Sequence, residues 1–331
     1  MKVSIAGGCG HAMCVLKAYQ HGTRFESGGI CPSYPGDPDS ERLLKAFQEA
    51  GLSFRRYNDY HSMLDYELPD VVIVDGMFGQ HAEMAVDALQ RGVHVLADKP
   101  AAVSEEQFLQ ISQAVSQSSA LYWSMLTCRY DPWYVTAWEL VQAGEIGDVR
   151  LIDAQKSYKL GKRPDFYADT NLYGGTVNWV GIHLIDLVLW ITGKRCKSVA
   201  AFGSSIGNGG YGSLESTLAF SMKLEEEILA SLRFDYCRPA FASTHGDDRI
   251  RIVGMRGSVE VRDNQVWLLN EEHPVPTVIP SAPGKDLFAD FLLAAEGKDH
   301  NARICPEQSL YCTQVALDIT QALRENRIVN K

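Results

Sequence analysis

The chain has no cysteine arrangement suited to a metal or a disulfide framework. Its eight cysteines (Cys9, Cys14, Cys31, Cys128, Cys196, Cys237, Cys305, Cys312) form no Cys-x-x-Cys pair and have no histidine at zinc-finger spacing. Free thiols in a reducing compartment are expected, and no metal site. Positive charge is in deficit: 31 lysines and arginines against 41 aspartates and glutamates leave a formal net charge of −10. Phosphate contacts need clustered cations, so neither nucleic acid nor an anionic membrane is an expected partner. No apolar run reaches the roughly 18 residues of a membrane span. Residues 1–6 enter a strand directly, without a charged leader and cleavage site, so the expected compartment is the cytoplasm.

What is present is the composition of an ordinary globular protein, 46% hydrophobic and 22% charged over 331 residues, enough for two domains with a sizeable core. The clearest pattern is residues 70–100, DVVIVDGMFGQHAEMAVDALQRGVHVLADKP. Two short β-branched runs, 71–74 and 93–97, read as buried parallel strands. Between them Ala82, Ala85, Val86 and Leu89 lay one apolar stripe along a helix starting near His81. The unit is βαβ. Open parallel sheets bind ligands beyond their strands' carboxyl ends, where Asp98, Lys99 and Pro100 fall. Pro100 also keeps Lys99 out of the α region, so the chain leaves the sheet extended.

Two further absences fall in the first βα turn and its sequel. After a strand at residues 2–6, Gly7-Gly8-Cys9-Gly10-His11-Ala12-Met13 turns into a helix with Ala12, Val15, Leu16 and Tyr19 on one face. Gly8 and Gly10 supply the tight turn and close backbone approach that a dinucleotide's pyrophosphate needs, with the helix N-terminus behind them. The third glycine of Gly-x-Gly-x-x-Gly is missing, and Met13 in its place is expected to push helix and strand apart. The second strand should end near residues 30–34, where an NAD site usually presents an acid to the ribose. Ser33 or Tyr34 stands there, and Asp37 follows in a Pro/Gly loop. Ser33 can bond a 2′-hydroxyl or a 2′-phosphate, which leaves both NAD and NADP. Strands at 53–57 and 121–126 and a capped helix at 105–116 complete a doubly wound domain over residues 1–126.

The second half, 127–331, has a different grammar. A helix over 133–142 and a strand over 149–157 precede strands at 198–203, 217–222, 227–234, 249–254, 259–262 and 265–269, with only turns between these last. That is an antiparallel sheet with one face open, and a second copy of the chain is the expected cover. A helix over 179–192 carries His183 and Asp186 on one face of a strongly apolar run. Each needs a partner or a cavity, because burying an unpaired polar group costs roughly 1–3 kcal/mol. His183 reads as functional and Asp186 as structural. Lys156, Tyr158, Lys162, Arg163 and Tyr167 are candidate hydroxyl-binding groups.

Taken together these motifs resemble the glucose-fructose oxidoreductase and inositol dehydrogenase family along nearly the whole chain. Ala97-Asp98-Lys99-Pro100 is similar to its Glu-Lys-Pro motif, and His81-Ala82-Glu83 to its His-Ala-Glu. Arg129-Tyr130-Asp131-Pro132, Gly144-Glu145-Ile146-Gly147, Gly181-Ile182-His183-Leu184-Ile185-Asp186 and Arg256-Gly257-Ser258 are similar to later signatures. The resemblance implies a Rossmann domain followed by an α+β substrate and oligomerisation domain, NAD or NADP as cofactor, and a homodimer or homotetramer through the second sheet. It implies a dehydrogenase acting on a secondary alcohol of a sugar, cyclitol or sugar derivative, with Lys99 and His183 flanking the alcohol. Gly8, Gly10, His11, Ala12, Ser33, His81, Asp98 and Lys99 are then expected at the cofactor, and Trp179, Asn178, Tyr158 and Arg163 at the substrate. The family's aspartate four residues before the histidine is Trp179 here, so one carboxylate of the acid-base set is missing. Either Lys99 and His183 suffice, with Trp179 as a wall for a sugar ring, or the chain is a sugar- or nucleotide-sensing binder. Redox-assisted glycoside elimination is a third possibility.

Overall fold

The computed structural model describes residues 1–298 and 302–331. They form two compact units, Met1–Thr127 with Lys285–Thr313, and Cys128–Gly284 with Gln314–Lys331. The first boundary falls one residue from the expected one. Residues 285–313, however, return to the first unit, so the second is not the continuous run 127–331 read from the sequence. Leu287 and Phe288 of this returning segment are buried, Phe288 edge-on to Phe25 at 5.5 Å, which explains why the segment rejoins the first core.

In the first unit, strands β1 (Lys2–Gly7), β2 (Glu26–Cys31), β3 (Arg55–Arg56), β4 (Val71–Asp75), β5 (His94–Ala97) and β6 (Tyr122–Ser124) lie in the order β3-β2-β1-β4-β5-β6. Every pairing is parallel. Helices α1 (Met13–Gln20), α2 (Pro38–Glu49), α3 (Tyr60–Glu67), α4 (His81–Gln90) and α5 (Glu105–Gln117) alternate with the strands. All five residues of β4 are buried, as a strand covered on both faces requires. The strand expected at 53–57 shrinks to the two exposed arginines of β3 at the sheet edge. Strand order reverses between β1 and β4, where Gly7 pairs with Asp75, and this is the crevice in which open α/β sheets take ligands.

The second unit holds α6 (Pro132–Gln142), β7 (Val149–Tyr158), α7 (Thr170–Tyr173), α8 (Ile182–Thr192), β8 (Cys196–Ser204), β9 (Thr217–Leu224), β10 (Leu229–Asp235), β11 (Gly246–Gly254), β12 (Gly257–Arg262), β13 (Gln265–Leu269) and β14 (Thr277–Ile279). Helix α9 (Leu287–Ala295) belongs to the first unit. Helix α10 (Pro306–Glu325) begins there and ends in the second, which β15 (Val329–Asn330) closes. Nine strands form one sheet in the order β14-β13-β12-β11-β7-β10-β9-β8-β15. One pairing departs from the expected antiparallel pattern: β10 runs parallel to β7. Helical chain separates β7 from the β8-β9-β10 meander, and such a crossover permits a parallel neighbour. Buried and exposed residues alternate along β9, so one sheet face is covered and the other open.

The helix expected from residue 179 begins at Ile182, after a π-helical turn over Val177–Gly181. The stretch Thr170–Thr192 is long and apolar enough to cross a membrane by length and composition, and 83% of its apolar window is buried in the protein. It serves as the core helix of this unit.

Candidate functional site

The glycine turn of the first unit is organised by a residue that the sequence reading passed over. The backbone amides of Gly10, His11 and Ala12 all donate to the carboxyl group of Asp75, at 3.2, 2.9 and 3.1 Å. These are orphan donors at the head of α1, the kind that bind phosphate. A side chain on Gly10 would meet Asp98 Oδ2 at 1.6 Å and Asp75 Oδ1 at 2.6 Å, so the two carboxyl groups meet over its Cα. A Cβ on Gly8 would strike the Ser40 backbone at 2.9 Å. Gly7, at φ +91°, has the Asp75 carbonyl oxygen 2.4 Å from where its Cβ would be.

Met13 does not wedge helix from strand. It is 49% exposed, whereas Ala12 is 1% exposed and faces the strand. The small residue buried at the head of α1 is Ala12. The signal for Asp75 was available: an acid ending a wholly apolar parallel strand beside the first βα turn has no solvent to face.

Asp98 directly follows β5 and is fully buried. Its Oδ1 accepts from the Lys99 amide at 2.8 Å and meets His11 Nδ1 at 2.9 Å. Burial opposes its charge, but His11 and Lys99 outweigh that and hold Asp98 below the usual carboxylate range. Burial, reinforced by Asp98, pushes Asp75 well above that range. Adjacent buried carboxyl groups resist ionising together, and the three amide donors oppose that by favouring the charged form of Asp75. Lys99 is 1% exposed and precedes Pro100 through a cis peptide bond.

His81 stands at the head of α4. It is fully buried, with Nδ1 3.0 Å from the Pro100 carbonyl and Nε2 3.1 Å from that of Gly76. It ties the end of β4 to the turn carrying Lys99. At the end of β2, Ser33 Oγ lies 3.1 Å from Cys9 Sγ, and the Ser33 amide donates to Asp37. Asp37 is buried and caps α2, also accepting from the Asp39 amide and Ser40 Oγ. The carboxylates of Asp37 and Asp39 come within 4.8 Å of Cys9 Sγ and of each other. Burial pushes the Cys9 thiol up to about 12.

In the second unit, His183 is 6% exposed and its Nδ1 lies 3.6 Å from Cys128 Sγ, whose thiol burial pushes up to about 12. Asp186, one turn along α8, is fully buried and gripped by Arg129, the structural role read from the sequence. Trp179 is half-buried. Asn178 lies in the core, where its amide nitrogen donates to Gly174 O at 2.7 Å and Thr320 Oγ1 at 3.2 Å and so holds the π-helical turn. Tyr158 closes a buried polar group with Lys156 and Asp248; its hydroxyl lies 3.1 Å from Lys156 Nζ, and Lys156 pairs with Asp248. Burial pushes the Tyr158 hydroxyl up to about 12. Arg163 stacks on Tyr236 at 5.1 Å and Tyr167 at 5.7 Å, and donates to the Lys159 carbonyl.

The first unit's strand order, with a glycine turn and helix N-terminus at its switch point, defines a dinucleotide-binding domain. The family described as oxidoreductases with an NAD-binding Rossmann fold matches residues 1–125, and the GFO/IDH/MocA C-terminal domain matches residues 134–260. A solved structure from Thermotoga maritima is 37% identical over 100% of both chains, with a TM-score of 0.95. The chain belongs to the GFO/IDH/MocA oxidoreductase family, and its cofactor is NAD or NADP. Among curated relatives, it is 25% identical to the inositol 2-dehydrogenase of Salmonella typhimurium over 49% of this chain and 46% of that one. Its match to the scyllo-inositol 2-dehydrogenase (NAD(+)) of Bacillus subtilis is 24% identical over 74% of this chain and 71% of that one. The chain thus spans about half the length of the first of these relatives. An aldose-aldose oxidoreductase from Caulobacter crescentus, 19% identical with a TM-score of 0.81 over 100% and 99% of the two chains, shares the fold. The turn's donors fit the cofactor: three amides at a helix head converge on one acceptor group, the chemistry that a phosphate requires.

Proposed function

We propose that the protein is an NAD-dependent dehydrogenase acting on a secondary alcohol of a sugar or cyclitol. The observation that carries this reading is Lys99, a buried lysine at the carboxyl end of a parallel strand, next to a carboxylate held ionised. The inositol dehydrogenases among its relatives support the substrate class. Bound nicotinamide supplies the hydride acceptor. Lys99 polarises the substrate oxygen and His183 moves its proton, while Gly8, Gly10, His11 and Ala12 form the phosphate-binding turn. Asp37 and Asp39 beside Ser33 repel a 2′-phosphate, which favours NAD over NADP. Tyr158, Arg163 and Trp179 serve the substrate's hydroxyls and ring face.

The test is a screen of sugars and cyclitols with NAD and NADP in parallel, read by nicotinamide absorbance. Against the substrate so found, Lys99→Ala should lower kcat by about 10²–10⁴. Wild-type turnover in that variant would refute the assignment. One observation favours a second reading, a non-catalytic binder: Trp179 stands where the resemblance implies a carboxylate. A binder takes up the cofactor and shows no absorbance change with any polyol or keto sugar.

The open face of the second sheet, with Phe202, Leu229 and Leu151 exposed, is the proposed interface of a homodimer or homotetramer, to be checked by light scattering. The proposed compartment is the cytoplasm.

A further inference from the structure

The amides that open α1 are not waiting for a ligand; a side chain of the protein already holds them. Gly10, His11 and Ala12 donate to one carboxyl group, and that group comes from the end of β4, across the crevice where the strand order reverses. Asp75 is 1% exposed and lies directly opposite Gly7 in the sheet. The space over Gly10, which a pyrophosphate would use for close approach, is filled by this carboxyl group and that of Asp98. A phosphate oxygen and an Asp75 oxygen cannot accept the same N–H with good geometry.

We infer that Asp75 occupies the pyrophosphate's seat in this conformation, and that NAD or NADP binds only when its side chain turns away from the α1 amides, making Asp75 a determinant of cofactor affinity. This rests on the reading of the first unit as the dinucleotide site. Burial beside Asp98 pushes the Asp75 carboxyl above the usual range, which lowers the electrostatic cost of moving it. The arrangement places the barrier to binding in a single side-chain rotation.

The experiment is a fluorescence titration of wild type, Asp75→Ala and Asp75→Ser with NADH and with NADPH, accompanied by calorimetric titrations with ADP and adenosine. Both variants shorten the side chain so that it no longer reaches the amides. The expected result is at least tenfold tighter NADH and ADP binding in either variant, with adenosine, which has no phosphate, unchanged. Unchanged or weaker NADH binding in both folded variants would overturn the inference and show Asp75 to be a fixed cap that orders the turn. Should both variants fail to fold, a crystal of the wild type soaked with ADP decides. Phosphate on the amides of Gly10, His11 and Ala12 with Asp75 rotated out supports the inference, and phosphate elsewhere with Asp75 in place refutes it. Binding of neither NADH nor NADPH in any variant would sink the dinucleotide site and this inference together. Tighter binding without turnover on any polyol would sink the dehydrogenase reading alone.

Discussion

Replacing Asp186 by asparagine removes one charge from a pair that water cannot reach. Asp186 is fully buried and Arg129 is 2% exposed. Arg129 Nε lies 3.0 and 3.1 Å from the two carboxylate oxygens and Nη2 lies 2.7 Å from Oδ1, a two-pronged contact that asparagine cannot reproduce. The amide offers one oxygen and turns an NH₂ group toward guanidinium donors. Breaking a buried pair from one side costs about 3–5 kcal/mol, because the surviving charge stays desolvated. In a unit of this size each kcal/mol moves the melting temperature by roughly 2–4 °C, so Asp186→Asn should melt about 6–20 °C below wild type. Near-ultraviolet circular dichroism through the transition measures this. Replacing both partners with apolar residues, Arg129→Met with Asp186→Leu, should recover much of the loss. A melting temperature for Asp186→Asn within about 2 °C of wild type would refute the reasoning and show the guanidinium to be satisfied elsewhere.

Gly10→Ala drives a methyl group into Asp98 Oδ2 and Asp75 Oδ1, and the overpacking should destabilise the first unit by about 1–3 kcal/mol in a denaturant titration. An unchanged midpoint would mean that the turn yields freely. His94 Nδ1 accepts the Leu121 amide proton at 2.9 Å, and burial lowers its pKa, so the folded state disfavours its protonation. The unfolded chain then binds more protons as pH falls through the ordinary histidine value of about 6.5. Stability should drop between about pH 7 and pH 5, and His94→Asn, which can still accept from Leu121, should flatten that slope; an identical slope would exclude His94 as a source. Of the eight free thiols, Cys237 alone is exposed, while burial pushes Cys31 and Cys128 up to about 12. Ellman's reagent should therefore titrate one thiol quickly in the native protein and all eight after denaturation.

How much of this was legible in the sequence depends on how local the information is. The parallel strands and the helix between them at residues 70–100 follow from the spacing of apolar residues, and so does Lys99 at a strand's carboxyl end. The succession of strands joined only by turns in the second half announced a largely antiparallel sheet with one open face. His81 and Asn178 were legible as residues of interest but not as buried positioning groups, because their partners, Pro100 O and Thr320 Oγ1, are brought to them only by folding. Residues 285–313 carry apolar periodicity that suits either half, and only the packing of Leu287 and Phe288 assigned them to the first unit.

The amino-acid order alone established the class of the fold, since side-chain period is a property of neighbouring residues along one chain. Tertiary structure decided which atoms face the glycine turn. Asp75 lies 65 residues from Gly10 in sequence and reaches its amide across the sheet, a contact that depends on strand order and register, which no local pattern encodes.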